Sequence, residues 1–242
     1  MRLRSFMIRA AITVSLTFLY ILVVGSIVVV AGILFRQPEW IYRTGIGGVR
    51  LCLWLAGCRL EVEGKENLLP GRPCVYVCNH VSNIDPPAAA GVLPRVVVLA
   101  KREVFRTPVF GRAMRECSFI PVDRGTERAA LVVNEGVERL KRGFSILAFP
   151  EGTRSPSGEM LPFRHGVFLM AIRAQAPVVP ISLYGTRDMM KKGEPVLRPG
   201  TAHFVVHPAV PTDGLREDAR GELADRVRDI VGSALPGARA GK

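Results

Sequence analysis

The stretch from Ala10 to Phe35 carries no charged residue and is dense in Leu, Ile and Val. As a helix rising about 1.5 Å per residue it would reach roughly 39 Å, more than a hydrocarbon core of about 30 Å. A cleaved signal peptide competes with this reading, but its apolar region normally runs only about 7–15 residues and ends at small residues. Here Phe35-Arg36-Gln37-Pro38 follows, so the segment reads as a retained membrane anchor, with Gly25-Ser26 as a place to bend. Residues 39–57 read as a second, amphipathic helix with Trp40, Ile41, Ile46, Val49, Leu53 and Trp54, its aromatics suited to an interface. Arg2, Arg4 and Arg9 on one side are balanced by Arg36, Arg43 and Arg50 on the other, so the positive-inside rule assigns no orientation. The preferred arrangement is a two-helix element, residues 1–57, seated in one leaflet of the inner (cytoplasmic) membrane, with the rest of the chain in the cytosol.

A chain of 242 residues with a formal charge of +12 suits one full domain plus an appendage and calls for an anionic partner. Nucleic acid, a membrane surface and a phosphorylated substrate all qualify. No nucleic-acid module pattern is present, and the long apolar segment favours anionic lipid. Five cysteines with no C-x-x-C pair (Cys52, Cys58, Cys74, Cys78, Cys117) read as reduced, mostly buried thiols, with Cys74 and Cys78 on one face of a strand.

From Arg59 onward the pattern alternates. Strands are expected at 59–63, 74–78, 96–100, 118–122, 145–149, 178–184 and 202–207, and helices at about 86–93, 107–115, 126–142 and 164–175. The third helix has Thr126 as N-cap and Leu131, Val133, Val137 and Leu140 on its inner side. Residues 215–235 repeat Leu215, Ala219, Leu223, Val227, Val231 and Leu235 near i+4, a last amphipathic helix. The expectation is an α/β domain over 58–212, a central mostly parallel or mixed sheet of about seven strands flanked by helices, followed by the helix and tail of 213–242.

Three stretches carry chemistry. Asn79-His80-Val81-Ser82-Asn83-Ile84-Asp85-Pro86 leaves an apolar run, and five residues span about 140° on one straight helix, so a His80–Asp85 contact requires a break between them. Asp85-Pro86-Pro87 looks like a helix start with Asp85 as N-cap. A turn that folds Asp85 back would hold the imidazole as a general base. Ser118-Phe119-Ile120-Pro121-Val122-Asp123-Arg124-Gly125 puts a guanidinium at a strand end, suited to phosphate or carboxylate. Ile146 to Ser155 runs from an apolar strand into Phe-Pro-Glu-Gly-Thr-Arg-Ser. There Gly152 permits an unusual backbone, Glu151 offers an acceptor for a hydroxyl, and Arg154 adds a cation. His203 and His207 share a strand face, but no third ligand at metal spacing accompanies them. Ser82 reads as a loop hydrogen-bonder, and no G-x-S-x-G nucleophile elbow occurs.

Together these residues resemble the glycerolipid acyltransferase family, and its 1-acylglycerol-3-phosphate branch in particular. N-H-x4-D matches Asn79, His80 and Asp85; the second block matches Ile120 to Arg124; Phe-Pro-Glu-Gly-Thr-Arg-Ser matches from Phe149 to Ser155; and Val179-Pro180-Ile181 matches the fourth. Ala100-Lys101-Arg102-Glu103 and Phe163-Arg164-His165-Gly166 look like two further family segments. Ser118 stands where the second block commonly has Gly, and Arg164 where Lys is usual. The resemblance implies a catalytic His80 oriented by Asp85, Arg124 on the acceptor phosphate, and Glu151 with Gly152 on the glycerol portion. Thr153 joins them as substrate-binding, and Lys101, Arg154 and Arg164 are phosphate candidates by charge. The implied partners are lysophosphatidic acid, an acyl donor and anionic membrane lipids, with acyl carrier protein as one form of donor and no nucleic acid. Neither metal nor cofactor is called for, since acyl-CoA or acyl-ACP serves as co-substrate. A hydroxyl attacking a thioester directly needs no enzyme nucleophile. The near rival is the same chemistry on another lysolipid acceptor, which Ser118 and Arg164 leave open; a metal-independent lipid hydrolase is the more distant rival, and release of free fatty acid without acceptor would mark it.

Overall fold

In the computed structural model, residues 2–122, 129–155, 158–190, 194 and 196–236 are described, and among them the apolar runs beyond residue 57 become strands of one sheet. They are β1 (Cys58–Glu63), β2 (Val75–Cys78), β3 (Val96–Lys101), β4 (Ile120–Val122), β5 (Ser145–Ala148), β6 (Val178–Tyr184) and β7 (Gly200–Val206). Their spatial order is β1-β7-β6-β2-β5-β3-β4. Every neighbouring pair is parallel except β6 with β7. Five strands therefore point the same way in a row, and their C-terminal ends share one rim.

The helices are α1 (Arg2–Tyr20), α2 (Ser26–Leu34), α3 (Pro38–Ala56), α4 (Asp85–Val92), α5 (Phe110–Glu116), α6 (Ala129–Lys141), α7 (Gly166–Ala174), α8 (Thr186–Met189) and α9 (Arg220–Ser233). The period-2 alternation of β2 sorts its side chains to two cores. Tyr76, Cys74 and Cys78 face Leu53 and Ala56 of α3 and Ala88 and Ala89 of α4. Val75 and Val77 face Val133 and Val137 of α6, Phe168 and Ile172 of α7, and Leu223, Val227 and Val231 of α9. The cysteines are free.

Several expectations are corrected. Leu131 is 65% exposed rather than on the inner side of α6, because it lies two residues, about 200° of helix, from the buried Val133. The expected cap Thr126 lies outside the described residues. Residues 118 and 119 precede β4 instead of belonging to it, because Ser118 adopts a left-handed φ of 66°. The last helix opens with a 3-10 turn at Glu217–Ala219 before α9 begins.

At the N-terminus, α1 and α2 are joined by a π-helical segment, Ile21–Gly25, where the sequence suggested a bend. Phe6–Leu34 is long and apolar enough to cross a membrane, and little of it is buried within the protein. The chain reverses at Arg36, φ 53°, and α3 packs back along it. A Cβ on Gly48 would lie 2.6 Å from the Tyr20 ring, so glycine permits the close approach there, and the Tyr20 hydroxyl donates to Thr44 O at 2.9 Å. The other side of α3 is fastened to the sheet domain. Arg50 donates to the Gly91 carbonyl at 3.1 and 2.8 Å, Val96 N donates to the Tyr42 hydroxyl at 3.1 Å, and Arg95 pairs with Glu39 at 2.6 Å.

Candidate active site

The site is built by strand register. Val77 of β2 pairs with Ala148 of β5, so His80 and Glu151, each three residues further on, emerge level at the rim. His80 Nδ1 lies 2.8 Å from Asp85 Oδ2. The same oxygen accepts the amides of Val81 and Ser82, each at 2.7 Å. Asp85 is thus not the N-cap of its own helix. Ile84 occupies that place, and Asp85, as the first residue of α4, turns its carboxylate back onto the loop that carries His80. Its burial is complete, while the His80 side chain retains 12% exposure. With Nδ1 committed to Asp85, a neutral His80 presents an unprotonated Nε2 as its basic nitrogen.

The surrounding loop is tied down. The Asn79 side chain donates to Leu183 O at 2.9 Å and accepts Leu183 N at 2.8 Å, joining β2 to β6 beside the histidine. Ser82 Oγ donates to Met190 O at 2.7 Å, the hydrogen-bonding part expected of it. The Phe149 ring lies 4.7 Å from the imidazole. Cys78 is fully buried beside the site, and burial, then the Asp85 and Glu151 charges, push its thiol well above the ordinary value. That thiol stays protonated and is no nucleophile.

Glu151, expected to accept a substrate hydroxyl, here accepts two backbone amides. Only 3% exposed, it accepts His80 N on Oε1 at 2.7 Å and Leu161 N on Oε2 at 3.0 Å. Burial raises its carboxyl above the ordinary value, and the Leu161 and His80 amides partly oppose this. Gly152 has φ +68°, and a Cβ there would lie 2.8 Å from Arg164 Nε. A bare backbone therefore lets the Arg164 guanidinium lie over the turn, with Arg164 N donating to Pro150 O at 2.9 Å. Thr153 and Arg154 are half-buried in the same turn, and Arg154 Nη1 is buried with no hydrogen-bond partner among the described residues. Lys101 ends β3, two strands from β2, and pairs with Glu103 at 3.1 Å. Arg124 lies outside the described residues. Lys101 pairs in register with Val122, two residues before it.

Sequence reasoning gave no role to Leu161 or to the Phe149 ring. The aromatic stood inside the third block, but nothing in the pattern marked Leu161, whose part is played by its amide.

An apolar cavity of about 220 Å³ runs between the N-terminal helices and the site domain, with Tyr20, Val29, Gly48 and Leu53 on one side and Ile84 and Pro87 on the other. The last two flank Asp85 in sequence.

The acyltransferase family model matches residues 59–184, slightly more than half of the chain, and the chain belongs to that family. Among relatives, it is 39% identical over 178 residues to the bovine 1-acyl-sn-glycerol-3-phosphate acyltransferase alpha, covering 72% of this chain and 62% of that protein. The chain thus spans less than two thirds of the length of that mammalian relative. It is 35% identical over 192 residues to the Pseudomonas aeruginosa 1-acyl-sn-glycerol-3-phosphate acyltransferase, covering 77% and 74% of the two chains. The fold matches the crystal structure of the 1-acyl-sn-glycerophosphate (LPA) acyltransferase of Thermotoga maritima with a TM-score of 0.79 at 24% identity, over 95% of this chain and 98% of that one.

Proposed function

We propose that the protein transfers an acyl group from a thioester, acyl-CoA or acyl-ACP, to the free hydroxyl of 1-acyl-sn-glycerol 3-phosphate, forming phosphatidic acid for phospholipid biosynthesis. The observation that carries this reading is the 2.8 Å contact between His80 Nδ1 and the buried Asp85. His80 Nε2 takes the acceptor's hydroxyl proton as that oxygen attacks the thioester carbonyl. The tetrahedral adduct collapses, the C–S bond breaks, and the imidazolium returns its proton to the departing thiolate. Asp85 holds the ring's tautomer and stabilises its charged form; such a base is worth about 10²–10⁴ in rate. The activation resides in the thioester, so the scheme uses no cofactor.

Arg124 takes the acceptor phosphate, with Lys101, Arg154 and Arg164 as further cations for it; the Arg164 guanidinium lying over the Gly152 turn supports its part in the set. The apolar cavity lined in part by Ile84 and Pro87 suits an acyl chain. The exposed apolar helix supports a seat in a membrane; the reading puts that seat in the cytoplasmic membrane with the site facing the cytosol.

The test is an acyl-transfer assay with lysophosphatidate and each donor. His80→Ala is expected to lower turnover by at least about 10²-fold. A variant that transfers at the wild-type rate, or a wild type that releases free fatty acid without acceptor, would end this reading.

A further inference from the structure

We propose that Glu151 is a positioning residue for His80: its buried carboxylate clamps the histidine's own backbone amide and so fixes where the imidazole stands. Its consequence for rate rests on the acyl-transfer reading above; its geometry does not.

The turn from Phe149 to Ser155 engages His80 from three directions. Glu151 Oε1 accepts the His80 amide at 2.7 Å, Ser155 N donates to the His80 carbonyl at 2.9 Å, and the Phe149 ring packs 4.7 Å from the imidazole. Both backbone hydrogen-bonding groups of His80 are thereby satisfied by one neighbouring turn. The second carboxylate oxygen is taken by Leu161 N at 3.0 Å, and that peptide is held from its other side, where Arg228 of α9 donates to Leu161 O at 3.4 Å and Met160 O at 3.3 Å. The clamp thus has a fixed far end. At 3% exposure, with one amide on each oxygen, Glu151 is turned inward.

A charged acceptor here is informative. Burying a carboxylate costs free energy that a neutral acceptor would not, while hydrogen bonds to an ionised acceptor are shorter and roughly twice as strong as neutral ones. Such a group persists where the held amide must not drift, and displacement of a general base by about 1 Å can cost about 10²-fold in rate. Glutamine cannot replace it, because two amide donors converge on the carboxylate. The single carbonyl oxygen of Gln can meet one donor, and its NH2 then opposes the other.

The experiment uses the full chain in detergent with 15N-histidine labelling. The sequence has only 4 histidines, so four amide resonances are expected, and His80→Gln identifies its own. The His80 amide should resonate far downfield, move upfield in Glu151→Gln, and in the wild type follow the titration of a carboxyl as pH is lowered. In the acyl-transfer assay Glu151→Gln should lose about 10²-fold in kcat, with KM for lysophosphatidate within about twofold of wild type. A tenfold rise in KM at unchanged kcat would make Glu151 a substrate ligand and overturn the clamp. A His80 amide indifferent both to that substitution and to pH would overturn it too, and the wild-type titration decides even if the variant does not fold. Absence of acyl transfer in the wild type would sink the acyl-transfer reading alone, leaving the spectrum to judge the clamp.

Discussion

Phe18 and Phe168 both sit in helices rich in apolar residues, yet the first is 66% exposed and the second is sealed at 0%. The difference lies in periodicity. In α7 and α9 the apolar positions recur on one stripe, and the sheet covers that stripe. In α1, α2 and the π-helical segment between them they occur all round, and α3 covers only one side, leaving Leu19, Leu22, Ile27 and Val30 open. A stripe needs one partner surface, whereas a helix apolar on every side needs a surrounding medium. Much the same composition therefore yields a core in one region and an exposed apolar surface in the other.

Four substitutions bear on this contrast. The largest effect is expected for Phe168→Ala, a cavity in the packed core costing about 3–5 kcal/mol. Phe18→Ala should cost less than about 0.5 kcal/mol in detergent, in keeping with exposed positions. Chemical denaturation in detergent compares the two, and equal losses would break the contrast. Next comes Leu19→Lys, near the middle of the apolar stretch, which should disfavour membrane insertion by about 2.5–3.5 kcal/mol while leaving the melting of the sheet domain unchanged. Sedimentation after a high-salt wash reads it out, and undiminished pelleting would mean that lipid does not cover that face. The smallest effect lies at the seam, where Cys117 and Phe119 pack on Val29, Ile41 and Tyr42 with Ser118 between them at φ 66°. A left-handed non-glycine residue stores about 1–2 kcal/mol, part of which glycine gives back in the unfolded chain. Ser118→Gly should therefore stabilise by about 0.5 kcal/mol, visible as a higher Tm, and a lower Tm would refute the strain.

That serine shows how far the sequence could be read. Its departure from the glycine usual in related chains was visible, and it bears on backbone conformation; φ is not written in side-chain chemistry. The strands were legible because buried runs of Val, Ile and Ala between turn residues leave little alternative. The antiparallel run of β7 was not, since nothing local encodes direction; among the described residues the connection from β6 holds the short α8 and no long crossover helix of the sort parallel neighbours use. At the site, His80 and Asp85 were legible as a pair because their spacing forbids one helical face. Glu151 was legible as important but not in its employment, because its partners are backbone amides, one contributed by Leu161, and any residue but proline supplies an amide. Arg154 and Arg164 could be nominated by charge, but only the fold puts Arg164 over Gly152.

Between the end of α3 at Ala56 and the start of β1 at Cys58 there is one residue, Gly57, at φ +77°, and Arg50 and Tyr42 of the same helix grip α4 and β3. No slack separates the two-helix hairpin from the part that carries the histidine. The joint is a bracket instead of a rope: were the hairpin seated in a bilayer, the mouth of the site would inherit its depth and tilt.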